Sequence, residues 1–301
     1  GVALYPQDAE DADSLLQRAD NAMRDAQSRG GGFKFYCAAT DAAAARKLKL
    51  EHMLHEALNG EELTVAYQPI VNAQTGRLDS AEALLRWAQP DGTMITPSEF
   101  IPVAEESGLM IRIGEFVLDA ACRQQREWCK QGIKVPHICV NVSKMQLMHG
   151  GFVPLVQRIL NKHELKPGQL ELELSERGVM SGDTELIAQL HEIKSLGVNL
   201  SIDDFGTGDS AIAYLRELPI DVLKIDRSYI SGLPGSDKET GIVAAMIAMG
   251  HSLSLRIVAE GIETREQFEA LKDMQCDALQ GFFISEPVAE QAFPQLLESV
   301  R

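Results

Sequence analysis

Basic residues are scarce in this chain: 28 Lys and Arg stand against 44 Asp and Glu, for a formal charge of −16. That balance excludes nonspecific binding to a nucleic-acid polymer or an anionic membrane surface. An anionic ligand would have to be drawn in by something else, such as bound cations. Cysteine is sparse and unpatterned. Cys37, Cys122, Cys129, Cys139 and Cys276 form no CxxC pair and no even framework, which suits buried free thiols kept reduced in a cytoplasm. Long apolar runs are missing too, since the best one, "GIVAAMIAMGHSLSL" from residue 241, is too short and interrupted to span a bilayer. No signal peptide is visible in this stretch, which starts at Gly1 and not Met. The expectation is a cytoplasmic piece of a longer parent, with room there for upstream sensory domains and a membrane anchor.

What is present is ordinary globular material: 301 residues, 45% apolar and 24% charged, enough for one large α/β domain or two smaller ones. From residue 63 onward strand-like and helix-like segments alternate. The strand candidates are "LTVAYQPIV", "LDSAEALLRW", "HICVNVS", "LELELSE", "LSIDDFG", "DVLKIDR", "RIVAEGIE" and "ALQGFFIS". Amphipathic stretches such as 152–163, 185–197 and 265–274 separate most of them. Repeated βα units imply a parallel sheet, and eight strands suggest closure into a TIM-like (β/α)8 barrel. Only "NAQTGR" (72–77) joins the first two strands, too short for a parallel crossover, so the first strand is expected to be reversed.

Residues 1–40 read differently, as strand "GVALYPQ", a helix over "DADSLLQRADNAMRDAQSRG" and strand "FKFYC". Leu15, Leu16, Ala19, Ala22, Met23 and Ala26 form the helix's apolar side. Two strands and a helix make no core alone. Residues 41–60 read as a linker helix with Asp41 as N-cap and Gly60 just past its end, and 61–301 as the barrel.

One stretch, "NLSIDDFGTGDS" (199–210), ends an alternating strand in two adjacent aspartates followed by glycines. Neighbouring carboxylates repel, although Asp and Gly are also ordinary turn residues. The other strand ends decide between these readings. Glu82 lies on strand two, Asn141 on three, Glu173 with Glu176 beyond on four, and Asp203 and Asp204 on five. Lys224 and Asp226 lie on six, Glu260 and Glu263 on seven, and Gln280 on eight. Barrels place their sites at these ends. So many oxygens in one mouth would be destabilising without cations, and an all-oxygen set without His or Cys suits Mg²⁺ or Mn²⁺ better than zinc.

Seven segments, "EALLRW" (82–87), "VNVS" (140–143), "LELSE" (172–176), "DDFGTG" (203–208), "LKID" (223–226), "AEGIE" (259–263) and "QGFF" (280–283), resemble in order and spacing the motifs of the EAL-domain phosphodiesterases. The resemblance covers about residues 45–301. It implies hydrolysis of cyclic di-GMP to linear pGpG by two divalent cations, on a barrel with one antiparallel strand. Residues 1–40 look like the end of a GGDEF diguanylate cyclase domain without its signature loop, which leaves no active cyclase.

Carried over residue by residue, the resemblance puts one ion on Glu82, Asn141, Glu173 and Asp203. The second falls on Asp203, Asp204 and Glu260, with Asp203 bridging. The catalytic set is Glu82, Lys224, Glu260 and Glu176: Lys224 contacts the attacking water, Glu260 is base or ligand, and Glu176 anchors the "FGTGDS" loop. The substrate-binding set is Gln68, Leu85, Arg86, Asp226, Glu263 and Gln280, with Arg86 clamping a phosphate oxygen. Mg²⁺ or Mn²⁺ should support turnover and Ca²⁺ should inhibit, and a homodimer through the barrel is expected. Ser175 stands where the family carries Thr, and Asp209 where it carries an aromatic residue, in the loop linked to dimerisation. Two other readings fit parts of the pattern. One is a catalytically silent cyclic di-GMP receptor, which would lack acidic ligands. The other is a Mg²⁺-dependent sugar-phosphate lyase, which the fold alone allows.

Overall fold

The computed structural model describes residues 1–28, 31–60, 62–179, 183–208 and 215–299. Residues 209–214, which carry Asp209 and Ser210, lie outside them. The chain divides into two compact units, residues 1–60 with 98–107, and 61–97 with 108–301.

In the first unit the expected N-terminal helix runs Ala12–Ser28 and buries Ala22 and Ala26, but Leu16 points into solvent. The two flanking strands do not form. Only an isolated bridge joins Val2 to Phe35, because neither segment has a third strand to pair with. The linker helix spans Ala38–Ala57, so Asp41 lies inside it. Its N-cap is Cys37, which makes no side-chain cap hydrogen bond. The alanine-rich run carries the helix upstream of Asp41, since alanine has the strongest helix propensity. Arg46 pairs with Glu99, and Lys47 with Glu106, on the helix Pro97–Glu106.

The second unit is a closed barrel. Its strands are β1 (Leu63–Asn72), β2 (Leu78–Ala88), β4 (Ile138–Asn141), β5 (Leu170–Ser175), β6 (Asn199–Phe205), β7 (Val222–Ile225), β8 (Arg256–Ala259) and β9 (Ala278–Leu279). Two-residue strands β3 (Met94–Ile95) and β10 (Val288–Ala289) extend the sheet beyond the eight segments read from sequence. The ladder runs β1-β2-β4-β5-β6-β7-β8-β9 and returns to β1. β1 pairs antiparallel with both β2 and β9, and the pairs from β2 through β4 to β9 are parallel. The chain is therefore a TIM-like barrel with its first strand reversed, as the short 72–77 connection requires.

Side-chain alternation sorts the walls. In β5, Glu171 and Glu173 alternate with Leu170, Leu172 and Leu174, and all five are buried. Ile70, Cys139, Val222, Val258 and Ala278 pack together as an apolar cluster. Tyr67 of β1 meets Trp128 edge-on at 4.9 Å, and Trp128 stacks on Phe293 at 4.5 Å. Capping boxes start the helices after the strands: Ser143 with Gln146, Ser236 with Glu239, and Thr264 with Gln267. Among the described residues, no helix is long and apolar enough to cross a membrane.

Candidate active site

Lys224, fully buried on β7, is the centre around which the acidic strand ends gather. Its Nζ lies 2.6 Å from Glu260 Oε1, 2.9 Å from Glu173 Oε2, 3.4 Å from Glu82 Oε2 and 3.7 Å from Asp203 Oδ1. Burial works against its charge, but Asp203, Glu173, Glu260 and Glu82 outweigh it and hold the amine well above the usual lysine range. Asn141 Nδ2 donates to Glu82 Oε1 at 2.7 Å, and Gln280 Nε2 donates to Glu82 Oε2 at 2.6 Å. Burial penalises the Glu82 carboxylate, yet Lys224 and these two donors bring it below the ordinary glutamate range.

The remaining acids are not compensated. Burial, then Glu82, pushes Glu173 well up, and burial, then Asp203, does the same to Glu260. Burial also raises Asp203. Asp204 is raised to about 6 by burial and by Asp203. Glu173 Oε1 and Gln280 Oε1 are buried without a hydrogen-bond partner. Oxygens of Asp203, Asp204 and Glu260 lie within 4.8 Å of one another. Five carboxylates against one ammonium, with an orphaned buried oxygen among them, form a hard donor set that fits a divalent cation.

A regular strand would turn Asp203 and Asp204 to opposite faces. They converge because the β6–β7 register shifts between Ile202 and Phe205 and Asp204 takes the left-handed conformation, φ 56°. Asp is among the few residues that tolerate it. The following loop is held from three sides. Glu176, 1% exposed, accepts from the Gly206 N–H at 2.8 Å and the Gly208 N–H at 3.2 Å. Tyr229 donates its hydroxyl to the Gly206 carbonyl at 2.7 Å, and Arg177 donates to that of Thr207 at 3.4 Å. Gly206 has φ 101°, and a methyl group there would overlap the Tyr229 ring.

An open cleft of about 290 Å³ lies above these groups. Of the sequence-derived residues, Gln68, Glu82, Asp203, Asp204, Asp226, Glu260, Glu263 and Gln280 line it. Gln68 faces Glu82 across the β1–β2 ladder, accepts from Gln280 at 3.0 Å and donates to the Ser285 carbonyl at 2.9 Å. Asp226 also caps the short helix Arg227–Ile230 through the Ser228 N–H. Two of the expected residues lie outside this wall. Leu85 lies on the β2 face opposite Glu82 and Leu84 and is not among the cleft's lining residues. Arg86 is half-buried, donates to the Leu85 carbonyl at 2.9 Å and does not line the cleft either. The sequence reading also passed over Leu84, Arg227, Gly261 and Phe282 in the wall, and Tyr229 behind the loop. The "LKIDRSYI" segment held Arg227 and Tyr229 in plain view, but nothing in its period shows which way they face.

His137, Cys139 and Glu171 also cluster, away from this mouth. There His137 Nε2 lies 3.3 Å from Glu171 Oε2, and against the penalty of burial that contact helps hold the Glu171 carboxyl below its usual range, while Cys139 belongs to the apolar cluster. This is a buried polar contact beside a core thiol.

Residues 51–287 match the EAL domain family. The chain belongs to that family. Over its full length it is 42% identical to the bifunctional diguanylate cyclase/cyclic di-GMP phosphodiesterase MucR of Pseudomonas aeruginosa, of which it spans 44%. It is 36% identical to the cyclic di-GMP phosphodiesterase NbdA of the same organism, of which it spans 39%. This EAL chain thus covers less than half the length of these curated relatives. The solved PaMucR phosphodiesterase in complex with c-di-GMP superposes on 81% of this chain and 99% of its own, with a TM-score of 0.77 and 44% identity.

Proposed function

We propose that this EAL domain hydrolyses cyclic di-GMP to linear pGpG with two divalent cations, Mg²⁺ or Mn²⁺. The observation that carries the reading is the set of five carboxylates around Lys224, which one ammonium cannot neutralise. Glu82, Asn141, Glu173 and Asp203 would hold one ion, and Asp203, Asp204 and Glu260 the other, with Asp203 shared. Such ions, when bound, polarise a phosphodiester and acidify a water for in-line attack.

The chain's own side chains do the rest. Lys224 stays charged and sets a fixed positive group beside the place where negative charge develops. Asn141 and Gln280 fix the two oxygens of Glu82. Glu176 and Tyr229 hold the loop that follows Asp203 and Asp204. Gln68 and Gln280 offer amide contacts to guanine or ribose, with Asp226 and Glu263 at the rim, and Leu84 and Phe282 give a flat base an apolar wall. Arg86 can clamp a phosphate only by leaving the Leu85 carbonyl, and Leu85 contributes at most that backbone oxygen.

We also take residues 1–40 as the end of a GGDEF domain, joined by the 41–60 helix to a cytoplasmic barrel that dimerises and belongs to a longer sensory parent. The match to MucR over the full chain supports that arrangement. The deciding experiment incubates the purified chain with cyclic di-GMP and follows pGpG by chromatography. Product should form with Mg²⁺ or Mn²⁺ and hardly at all with Ca²⁺, which is larger and less strict in geometry. Binding without product would make the chain a receptor, and equal rates with Ca²⁺ would overturn the two-ion mechanism.

A further inference from the structure

Among the described residues the cleft wall holds six carboxylates, Glu82, Asp203, Asp204, Asp226, Glu260 and Glu263, and one cation, Arg227. A cyclic dinucleotide brings two phosphodiester charges. If the reading above holds, divalent ions neutralise the scissile one. The second phosphate would then enter a wall of carboxylates, which costs heavily in a partly desolvated cleft unless a cation already in the wall meets it. Arg86, the phosphate ligand expected from the sequence, does not line this cleft and is engaged with the Leu85 carbonyl.

Arg227 is placed differently. It is exposed, and its guanidinium makes no hydrogen bond or ion pair among the described residues. It opens the helix Arg227–Ile230 immediately after β7, so its backbone is fixed by the Asp226 cap and by the strand that carries Lys224. Gly261, in the "AEGIE" segment, has φ 72°, and a methyl there would overlap the Arg227 Cβ. The missing side chain at Gly261 therefore leaves room for the arginine stem against the β8 exit. A cation left unpaired in an acid-lined cleft is poised for an anion, and a guanidinium can meet two phosphate oxygens at once.

We propose that Arg227 binds the phosphate that is not cleaved, and so makes the site prefer a two-phosphate cyclic dinucleotide over a diester with one phosphate. The inference rests on the phosphodiesterase reading, and the test separates the two. Wild-type protein and the variants Arg227→Ala and Arg227→Lys are assayed with Mn²⁺ on cyclic di-GMP and on bis(p-nitrophenyl) phosphate, which carries a single diester. Loss of a charge-assisted hydrogen bond corresponds to roughly tenfold or more in affinity. Arg227→Ala should therefore lower kcat/KM on cyclic di-GMP, mainly through KM, by a factor at least roughly tenfold larger than on the single-phosphate diester. Arg227→Lys should recover part of it. Equal losses on both substrates, or none on either, would overturn the assignment of Arg227. A wild type that cleaves neither substrate would instead overturn the phosphodiesterase reading itself.

Discussion

Lys224 and Glu176 are buried ionisable residues, one set among carboxylates and the other on backbone amides, and each predicts its own kinetic signature. Lys224 faces four carboxylates, is fully buried and is not among the cleft's described lining residues. Lys224→Ala should therefore reduce kcat by at least roughly a hundredfold while KM for cyclic di-GMP moves little, because a fixed charge acts on the transition state. A rise confined to KM would make it a substrate clamp. Among the described residues, Glu176 meets the loop through the Gly206 and Gly208 amides. Glu176→Ala should fold, lose at least roughly tenfold in kcat, about 1.4 kcal/mol, and need more Mg²⁺ for half-saturation in a calorimetric titration. Near wild-type values on both counts would leave the metal assignments standing and remove the anchor. The lumen placement of Glu173 was legible, since "LELELS" alternates cleanly. The convergence of Asp203 with Asp204 was not, because it depends on the left-handed backbone at Asp204 and a register shift that no periodicity records.

At the level of elements, the eight barrel strands and the reversal of the first could be read from alternation and one short connection. β3 and β10 could not, since two residues carry no period. The N-terminal strands were over-read for the complementary reason: alternation alone makes no strand where no partner edge exists, and only the Val2–Phe35 bridge remains. Likewise Asp41 looked like a cap, but the alanines before it prolong the helix. The loop after β6 makes a sharper case. Gly206 is pressed between the Glu176 carboxylate and the Tyr229 ring, with a backbone that L side chains rarely adopt. Gly206→Ala should weaken Mg²⁺ binding and lower kcat by roughly tenfold or more. Adding Tyr229→Ala should return only the steric share, leaving the cost of the positive φ. The pair should thus be non-additive in a double-mutant cycle on metal affinity, and strictly additive effects would show that ring and glycine do not meet.

Across the whole molecule, the uncompensated acids set how metal-free protein responds to pH. Asp204 is raised to about 6, from 3.8, and Asp203, Glu173 and Glu260 are raised as well. Where a carboxyl's folded value exceeds its unfolded one, the folded chain binds more protons between the two, so stability rises as pH falls through that window. Glu82 is shifted the other way, but its contribution is lost only below its ordinary value of 4.5. Protein stripped with EDTA should therefore show a higher Tm at pH 5.5 than at pH 7.5. With saturating Mg²⁺ the difference should shrink, since ions take the place of protons. A Tm in EDTA that falls on acidification would mean the carboxylates are already compensated without metal.

The seam of the barrel has a consequence in time. β1, at residues 63–72, is the first barrel strand to leave the ribosome, yet two of its three partner strands, β9 at 278–279 and β10 at 288–289, are the last to follow. Nearly the whole domain must be synthesised before that edge is covered, and contacts so distant in sequence form slowly. Until then a ten-residue strand waits with a row of unpaired backbone groups. The same seam carries Gln68, whose partners Gln280 and Ser285 arrive in the last stretch of chain. The nascent barrel therefore acquires its cleft-lining amides in the act of zipping shut, and no half-made chain can bear a finished cleft.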